Sequence, residues 1–586
     1  MFDIIIKGGS IVDGGGGEAY ISDVGIRNDR IAAICDLSSA SAGKIVDAGG
    51  LYVTPGFIDA HSHADGSAPM WPDMESALGQ GVTTCVTGHC GLSAAPVNNY
   101  WMEIGFEEPA FNRIFPQYPG GPRPGSGRVL AVNVLAPAFE RAFGTPLDWR
   151  GMGEYLDHLD RCLGVNMVCH TGHSQLRQQV LGPDAARPAT EEELKEIGAL
   201  LKQSLDDGAW GLSLGLDYYS SGSASRDELL YLMKIVKEYG RIVTAHVQSR
   251  VRRRGKVDPR FTYGEGLVEF LELGKESGAI IHISHLKPVA EIPGSGSGID
   301  LINKRSAEAA ISVVKHYRDQ GLRVTWDRLC GPLVPCFYYP QLVYRFRPYT
   351  DECGGPEGFA AALGSRWYRQ ELSKDINNGN HRGKDGFGYF NPETSPALLC
   401  IKAINQDYVG KTLSEIAGSG DVLETAFDIL AADPYAMFHR KPVFSLETGR
   451  VFAEEEDVSF GTDNGAFNYD YRQEDGPGMV SRSTPSAYCQ MITYLENDYG
   501  LSFGQMIRRL SGNAAQSYNI HDRGFVREGY YADLLVLDKK NLHSNYSLTE
   551  PRTMPSGIDC VIVNGKMALE KEIFHRPRSG KTIRAR

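Results

Sequence analysis

The sequence predicts an α/β fold: a (β/α)8 TIM-like barrel with a small β-sandwich domain formed from both chain termini. Three observations carry this reading. The middle of the chain alternates short apolar, strand-like runs with helical patterns, which implies parallel strands joined by crossovers. These units number about eight, the count of a closed barrel. The first and last stretches share another texture, short strands punctuated by Gly, Asn and Asp, and chain ends often lie close in space.

The β-rich ends are FDIIIKG, SIVDG, SDVGIRNDRIAAI and GKIVDAGGLYVTPG at one side, GYYADLLVLD and GIDCVIVNGKMAL at the other. They assign residues 1–56 plus 525–586 to the β domain and residues 57–524 to the barrel. The candidate barrel strands are GFIDAHSH, VTTCVTGHC, RVLAVNVLA, VNMVCHTGH, GAWGLSLGL, RIVTAHVQ, AIIHISHL, RVTWDRL and VSFGTDN. RVLAVNVLA is the supernumerary one, because it follows a loop and has no crossover of its own before VNMVCHTGH. Helical patterns lie in EEELKEIGALLKQSLDD, RDELLYLMKIVKEYG, GLVEFLELGKESG and KRSAEAAISVVKHYRDQG. Two loop insertions, residues 100–128 and 330–396, interrupt the alternation. On a barrel, insertions after strands sit at the catalytic face.

Composition narrows the function. The chain has 586 residues, 42% hydrophobic and 23% charged, enough for a large core without staples. Its net charge of −12 argues against a nucleic-acid or anionic-membrane partner, since both need a basic surface. No apolar run reaches the roughly 18 residues of a spanning helix, and the N-terminus is a poor signal peptide. The 11 cysteines are odd in number and lack a CxxC pair. A disulfide framework is therefore not expected, and a reducing, cytoplasmic setting is. The expected partner is a small-molecule substrate, and an acidic barrel of this size is compatible with a homo-oligomer.

The chemistry-bearing residues cluster at strand ends. Asp59, His61 and His63 follow the apolar run GFI. Residues i and i+2 of a strand share a face, so His61 and His63 should point together with Asp59 behind them. Two converging imidazoles suit a divalent transition metal, although an HxH alone is equally compatible with two unrelated histidines. His246 ends RIVTAH, His285 ends AIIHISH and Asp463 ends VSFGTD. Histidines and a carboxylate terminating separate strands are what a metal site at a barrel mouth requires. His282 lies three residues from His285, faces the other way and reads as a packing or supporting histidine. Asp463-Asn464-Gly465 also fits a plain turn.

The motifs PGFIDAHSHAD, QGVTTCVTGHCGLSAAP, DDGAWGLSLGLDYYSSG, TAHVQ, ISHLK, FGTDNG, DRGFVREGYYADLLVLD and IDCVIVNGK occur in order along nearly the whole chain. Together they resemble the amidohydrolase superfamily and, within it, the N-acyl-D-amino-acid deacylase (D-aminoacylase) family. The resemblance implies a zinc-dependent hydrolase of linear amides. It implies a cysteine ligand at Cys90, in Gly88-His89-Cys90-Gly91, where many relatives use a carboxylated lysine. Cys85 and His89 read as buried packing residues. The resemblance further implies Cys90, His246 and His285 around a tighter Zn2+, and His61, His63 and Asp463 at a second, weaker position. Asp463 would be the catalytic base. Tyr218 and Lys287 match positions that resemble carboxylate-binding residues, and Arg482 is a stand-in for a family arginine.

Other features limit the resemblance. GLSLGL carries no lysine and no Glu follows His246, against the hydantoinase and nucleobase-deaminase patterns. Asp327-Arg328-Leu329-Cys330 replaces an expected DxYPY-like run, and no His-Pro-Arg run follows Asp463. Both departures fall where substrate recognition is expected. The rival readings are an amidohydrolase of a cyclic amide, ester or carbamate, and a non-catalytic scaffold on the same barrel. The scaffold predicts lost ligands, and none is lost.

Overall fold

The computed structural model describes residues 1–102, 129–185, 187–218, 220–248, 252–253, 256–257, 263–290, 297–329, 342–378, 390, 392, 395–440, 446–470, 486–546 and 553–585. Among them, eight parallel strand positions occupy the middle of the chain. They are β1 (Phe57–Asp59), β2 (Val82–Thr87), β3 (Asn166–Cys169, continued by Thr171–Gly172), β4 (Gly211–Gly215), β5 (Ile242–His246), β6 (Ile280–Ile283), β7 (Val324–Leu329) and β8 (Ser459–Gly461). Each pairs in parallel with the next.

The first and last of these strands also meet. The Ala60 N–H donates to the Phe460 carbonyl at 3.1 Å. Tyr488 Oη lies 3.0 Å from the carbonyl oxygens of both Ile58 and Phe460. The approach is close: a Cβ added at Gly461 would lie 2.4 Å from His61 Cβ. β1 to β5 and β8 are buried along their whole length, as parallel strands covered on both faces must be.

Helices Glu191–Asp206, Arg226–Glu238, Tyr263–Ser277 and Ser297–Asp319 fall on the helical patterns of the sequence. Thr190 starts the first with a capping box to Glu193, which satisfies two otherwise open backbone donors. RVLAVNVLA is not one of these parallel strands. Only Val129–Ala131 is extended, pairing antiparallel with Tyr100–Met102, and Val132–Phe143 is helical. Val132, Leu135 and Phe139 are buried together, so the helical period after Ala131 overrides the alternation before it.

Strands from the two ends of the chain share one nine-stranded sheet. The junction is Tyr52–Pro55 paired antiparallel with Leu534–Leu537. Ile4, Ile6, Val24, Val53, Leu534, Val536 and Ile562 pack one core there. Residues 103–128 lie outside the described residues. The second insertion departs from the irregular loop expected of it. Its described part is largely helical, with Pro356–Ala362 and Arg366–Asn377, and it shares a core of Phe346, Phe359, Phe427 and Phe438 with the later helix Val422–Ala432. That core reaches past residue 396, because the hairpin Leu398–Lys402 with Met437–Arg440 closes it. No helix among the described residues is long and apolar enough to cross a membrane.

Candidate metal centre

The residues expected at the centre meet just beyond the C-terminal ends of the strands. Cys90 follows β2, His246 ends β5, His285 follows β6 and Asp463 follows β8. His61 and His63 follow β1, which stops at Asp59. The two histidines therefore do not converge as alternate residues of a strand. Backbone bonds to the segment after β8 hold them: Asp463 N–H donates to His61 O at 2.7 Å, and His63 N–H to Asn464 O at 2.9 Å.

Three of these residues have left-handed backbones: Cys90 (φ 56°), His285 (φ 39°) and Asp463 (φ 55°). Such a conformation is uncommon outside glycine and concentrates at functional sites. It turns each chain sharply as it leaves its strand. Beside Cys90 a small neighbour is also required, because a Cβ at Gly91 would lie 2.6 Å from Gly215 N.

Two donor groups share the thiol. His61, His63, Cys90 and Asp463 form one, and Cys90, His246 and His285 the other. Within each, every donor atom lies within 4.8 Å of the rest, and all six side chains are buried. Cys90 Sγ is 3.3 Å from His61 Nε2, 3.7 Å from His246 Nδ1 and 3.6 Å from His285 Nε2. Asp463 Oδ1 is 3.2 Å from His61 Nε2 and 3.0 Å from His63 Nε2. A sulfur, imidazole nitrogens and a carboxylate oxygen at this spacing fit Zn2+.

The electrostatics favour the anionic forms of the sulfur and the carboxyl. Burial alone raises the Cys90 thiol, but the His61 ring and hydrogen bonds from His246 and His285 outweigh it and bring it well below its usual range. Burial likewise opposes ionisation of Asp463, and His61 and His63 overcome it, holding the carboxyl well below its ordinary value. His285 is pushed down to about 4, first by burial and then by His246, so at pH 7 it is a neutral imidazole, the form that can bind a metal ion.

Two family models, both described as amidohydrolase family, match residues 44–247 and 450–568. The first span holds His61, His63, Cys90 and His246, and the second holds Asp463. The chain belongs to the amidohydrolase family. N-acyl-D-aspartate deacylase of Alcaligenes xylosoxydans xylosoxydans is 26% identical over 99% of this chain and 95% of its own. D-aminoacylase of the same organism is 25% identical over 99% of this chain and 97% of its own. A solved structure of N-acyl-D-glutamate deacylase from Bordetella bronchiseptica, complexed with zinc and a phosphonate inhibitor, shares the fold. Its TM-score is 0.67 at 23% identity, over 100% of both chains.

In this amidohydrolase two carboxylates that sequence reasoning did not assign to the centre support it. Asp327 Oδ2 is 3.2 Å from His61 Nδ1 and 2.9 Å from His282 Nε2, while Oδ1 accepts the His285 N–H at 2.8 Å. The position expected to recognise substrate thus orients histidines. Asp217 Oδ2 is 3.0 Å from His246 Nε2. Both follow the pattern of a carboxylate behind a ligating histidine. His282 is the supporting histidine expected, since Asp327 and Thr325 hold its two ring nitrogens. Asp59 stands outside the two donor groups and binds Thr462 and the His61 N–H. His89 is the buried packing residue expected, with its ring stacked on His61 at 4.1 Å between centroids.

A buried brace sets the segment carrying Asp217. Glu228 Oε1 is 3.0 Å from His173 Nε2 and also pairs with Arg177. His173 Nδ1 is 2.7 Å from Ser221 Oγ, which accepts the Gly215 N–H at 3.1 Å. Ser221 is only 1% exposed, so this Ser-His-Glu chain reads as scaffolding. Tyr218, on the same segment, has its Oη 3.2 Å from His246 Nδ1. Lys287 is half-buried, and its ammonium has no partner among the described residues. Arg482 lies outside the described residues.

Proposed function

We propose that this amidohydrolase is a zinc-dependent enzyme that cleaves the amide bond of N-acyl-D-amino acids, or of similar carboxylate-bearing amides, with water as the nucleophile. The architecture of the proposal is a (β/α)8 barrel over residues 57–524, flanked by a small β-sandwich domain of residues 1–56 plus 525–586. One observation carries it: the Cys90 sulfur is shared by two histidine groups while the Asp463 carboxylate faces one of them. The relatives named for D-aspartate and D-amino-acid deacylation support the substrate class.

Cys90, His246 and His285 would hold the tighter Zn2+, and His61, His63 and Asp463 a second, weaker position. Zinc in such a site is a Lewis acid and lowers the pKa of a water it binds to near 7. Asp463 takes the proton of the attacking water and returns it to the leaving nitrogen. Its depressed pKa keeps it ionised, ready to accept, at neutral pH. With the weaker position empty, one of His61 and His63 donates to the carbonyl oxygen as negative charge develops there. Tyr218, Lys287 and Arg482 would bind the substrate carboxylate.

The test is metal analysis of the purified enzyme together with a hydrolysis panel of N-acyl-D-amino acids, N-acyl-L-amino acids, cyclic amides, esters and carbamates. Zinc-dependent hydrolysis confined to the N-acyl-D-amino acids is expected. Cleavage of the cyclic amides, esters or carbamates with none of the D-amides would overturn the reading.

A further inference from the structure

The opposite end of the barrel holds a cavity that this chemistry does not use. Its volume is about 800 Å³, within the range of roughly 300–1,000 Å³ typical of small-molecule sites. Ile242 and Ile280, at or near the starts of β5 and β6, line it. His246 lies at the other end of β5.

The lining is cationic, with seven Lys and Arg side chains against two Asp. Four of the cations are engaged, by Asp522, Asp533, Asp73 and Asp160. Arg241, Lys566 and Lys581 have no carboxylate partner among the described residues. Lys581 Nζ touches only the Asp160 carbonyl, at 3.3 Å.

Two atoms of the wall ask for a ligand. Arg241 Nε is buried without a hydrogen-bond partner. A buried donor left unpaired forfeits the hydrogen bonds it makes to water in the unfolded chain. Asn564 Oδ1, on the same wall, is buried and unpaired as well. The first needs an acceptor, and the second needs a donor.

We propose that this cavity binds a phosphate group, free or carried by a small metabolite. Phosphate in its monohydrogen form meets both requirements. Its oxygens accept from Arg241, Lys566 and Lys581, and its single P–OH donates to Asn564 Oδ1. A guanidinium matches this tetrahedral anion with directed, charge-assisted hydrogen bonds. The volume leaves room for a sugar or similar carrier beside the phosphate.

Isothermal titration of the zinc-loaded full chain with inorganic phosphate and with ribose 5-phosphate tests this. The wild type and the double variant Arg241→Gln/Lys566→Gln are compared. Saturable binding of at least one probe is expected, weakened by at least about tenfold in the double variant, with zinc content and amide hydrolysis unchanged. Tighter binding of ribose 5-phosphate identifies a phosphorylated metabolite, and equal or tighter binding of inorganic phosphate identifies the free anion. Absence of saturable binding of either probe overturns the proposal. So does equal affinity in wild type and variant, because the anion then sits elsewhere. Lys566 is exposed, so Lys566→Gln alone gives a folded comparison should the double variant fail to fold. It must also weaken binding.

Discussion

Asp327 Oδ2 lies 3.2 Å from His61 Nδ1, and the far nitrogen of the same ring lies 3.3 Å from the Cys90 sulfur. The carboxylate thus sets which His61 nitrogen faces the donor cluster. A carboxylate in this place fixes the ring's orientation and makes the other nitrogen a better ligand. The Asp327→Asn variant keeps the shape and removes the charge. Zinc affinity at the weaker position should fall by about 10–100-fold, with the tighter position spared. Competition with a chelator of known affinity measures both. Unchanged affinity at the weaker position would remove Asp327 from the account.

Asp217 stands in the same relation to His246, 3.0 Å from its Nε2. His246 belongs to the other donor group, so the Asp217→Asn variant should weaken the tighter zinc by about 10–100-fold. The same chelator competition distinguishes the two variants. If both lose the same ion, the two donor groups act as one position.

Asp463 has two imidazole contacts and a depressed pKa. The Asp463→Asn variant should lose about 10²–10⁴-fold in kcat and keep its tighter zinc, because Cys90, His246 and His285 are intact. Steady-state kinetics with elemental analysis on the same sample checks both halves. Near-normal turnover would show that another group takes the proton.

The brace behind Asp217 makes a stability prediction. Burial opposes ionisation of Glu228, but His173 and Arg177 overcome it and hold the carboxyl at about 2. A depressed carboxylate stabilises the folded state fully above its unfolded pKa, about 4.3, and that contribution is lost as pH falls toward the folded value. His173, held neutral mainly by burial, shifts stability the same way in acid, because the unfolded chain binds the proton more readily. The Glu228→Gln variant should be less stable at pH 7, by about 3–5 kcal/mol for a broken buried pair. It should also lose less stability than wild type between about pH 5 and 3. Denaturant unfolding at several pH values measures this. Parallel wild-type and variant curves would show that Glu228 carries no linked charge.

Much of the centre was legible because its residues end apolar runs. His246, Cys90 and Asp463 each close or follow a strand that hydrophobic content marks on its own. His61 and His63 converge, but through the hydrogen bonds that tie their backbone to Asp463 and Asn464, which no local period encodes. Asp217 and Asp327 were not legible as supports. Each is one carboxylate among 72 acidic residues, and only the folded neighbours distinguish it. The left-handed positions at His285 and Asp463 are not themselves glycines, so the residue type does not announce them. In RVLAVNVLA two periods compete over a few residues, and the buried face of the following helix decides between them. The second insertion looked irregular because its helices are short and its core is assembled from residues as far apart as Phe346 and Phe438.

The most direct test of the central claim is zinc-edge X-ray absorption on the wild-type enzyme loaded with one equivalent of Zn2+. The account predicts one sulfur scatterer at about 2.3 Å with nitrogen or oxygen neighbours at about 2.0–2.1 Å, and loss of the sulfur signal in Cys90→Ser. A shell of nitrogen and oxygen alone in the wild type would contradict it.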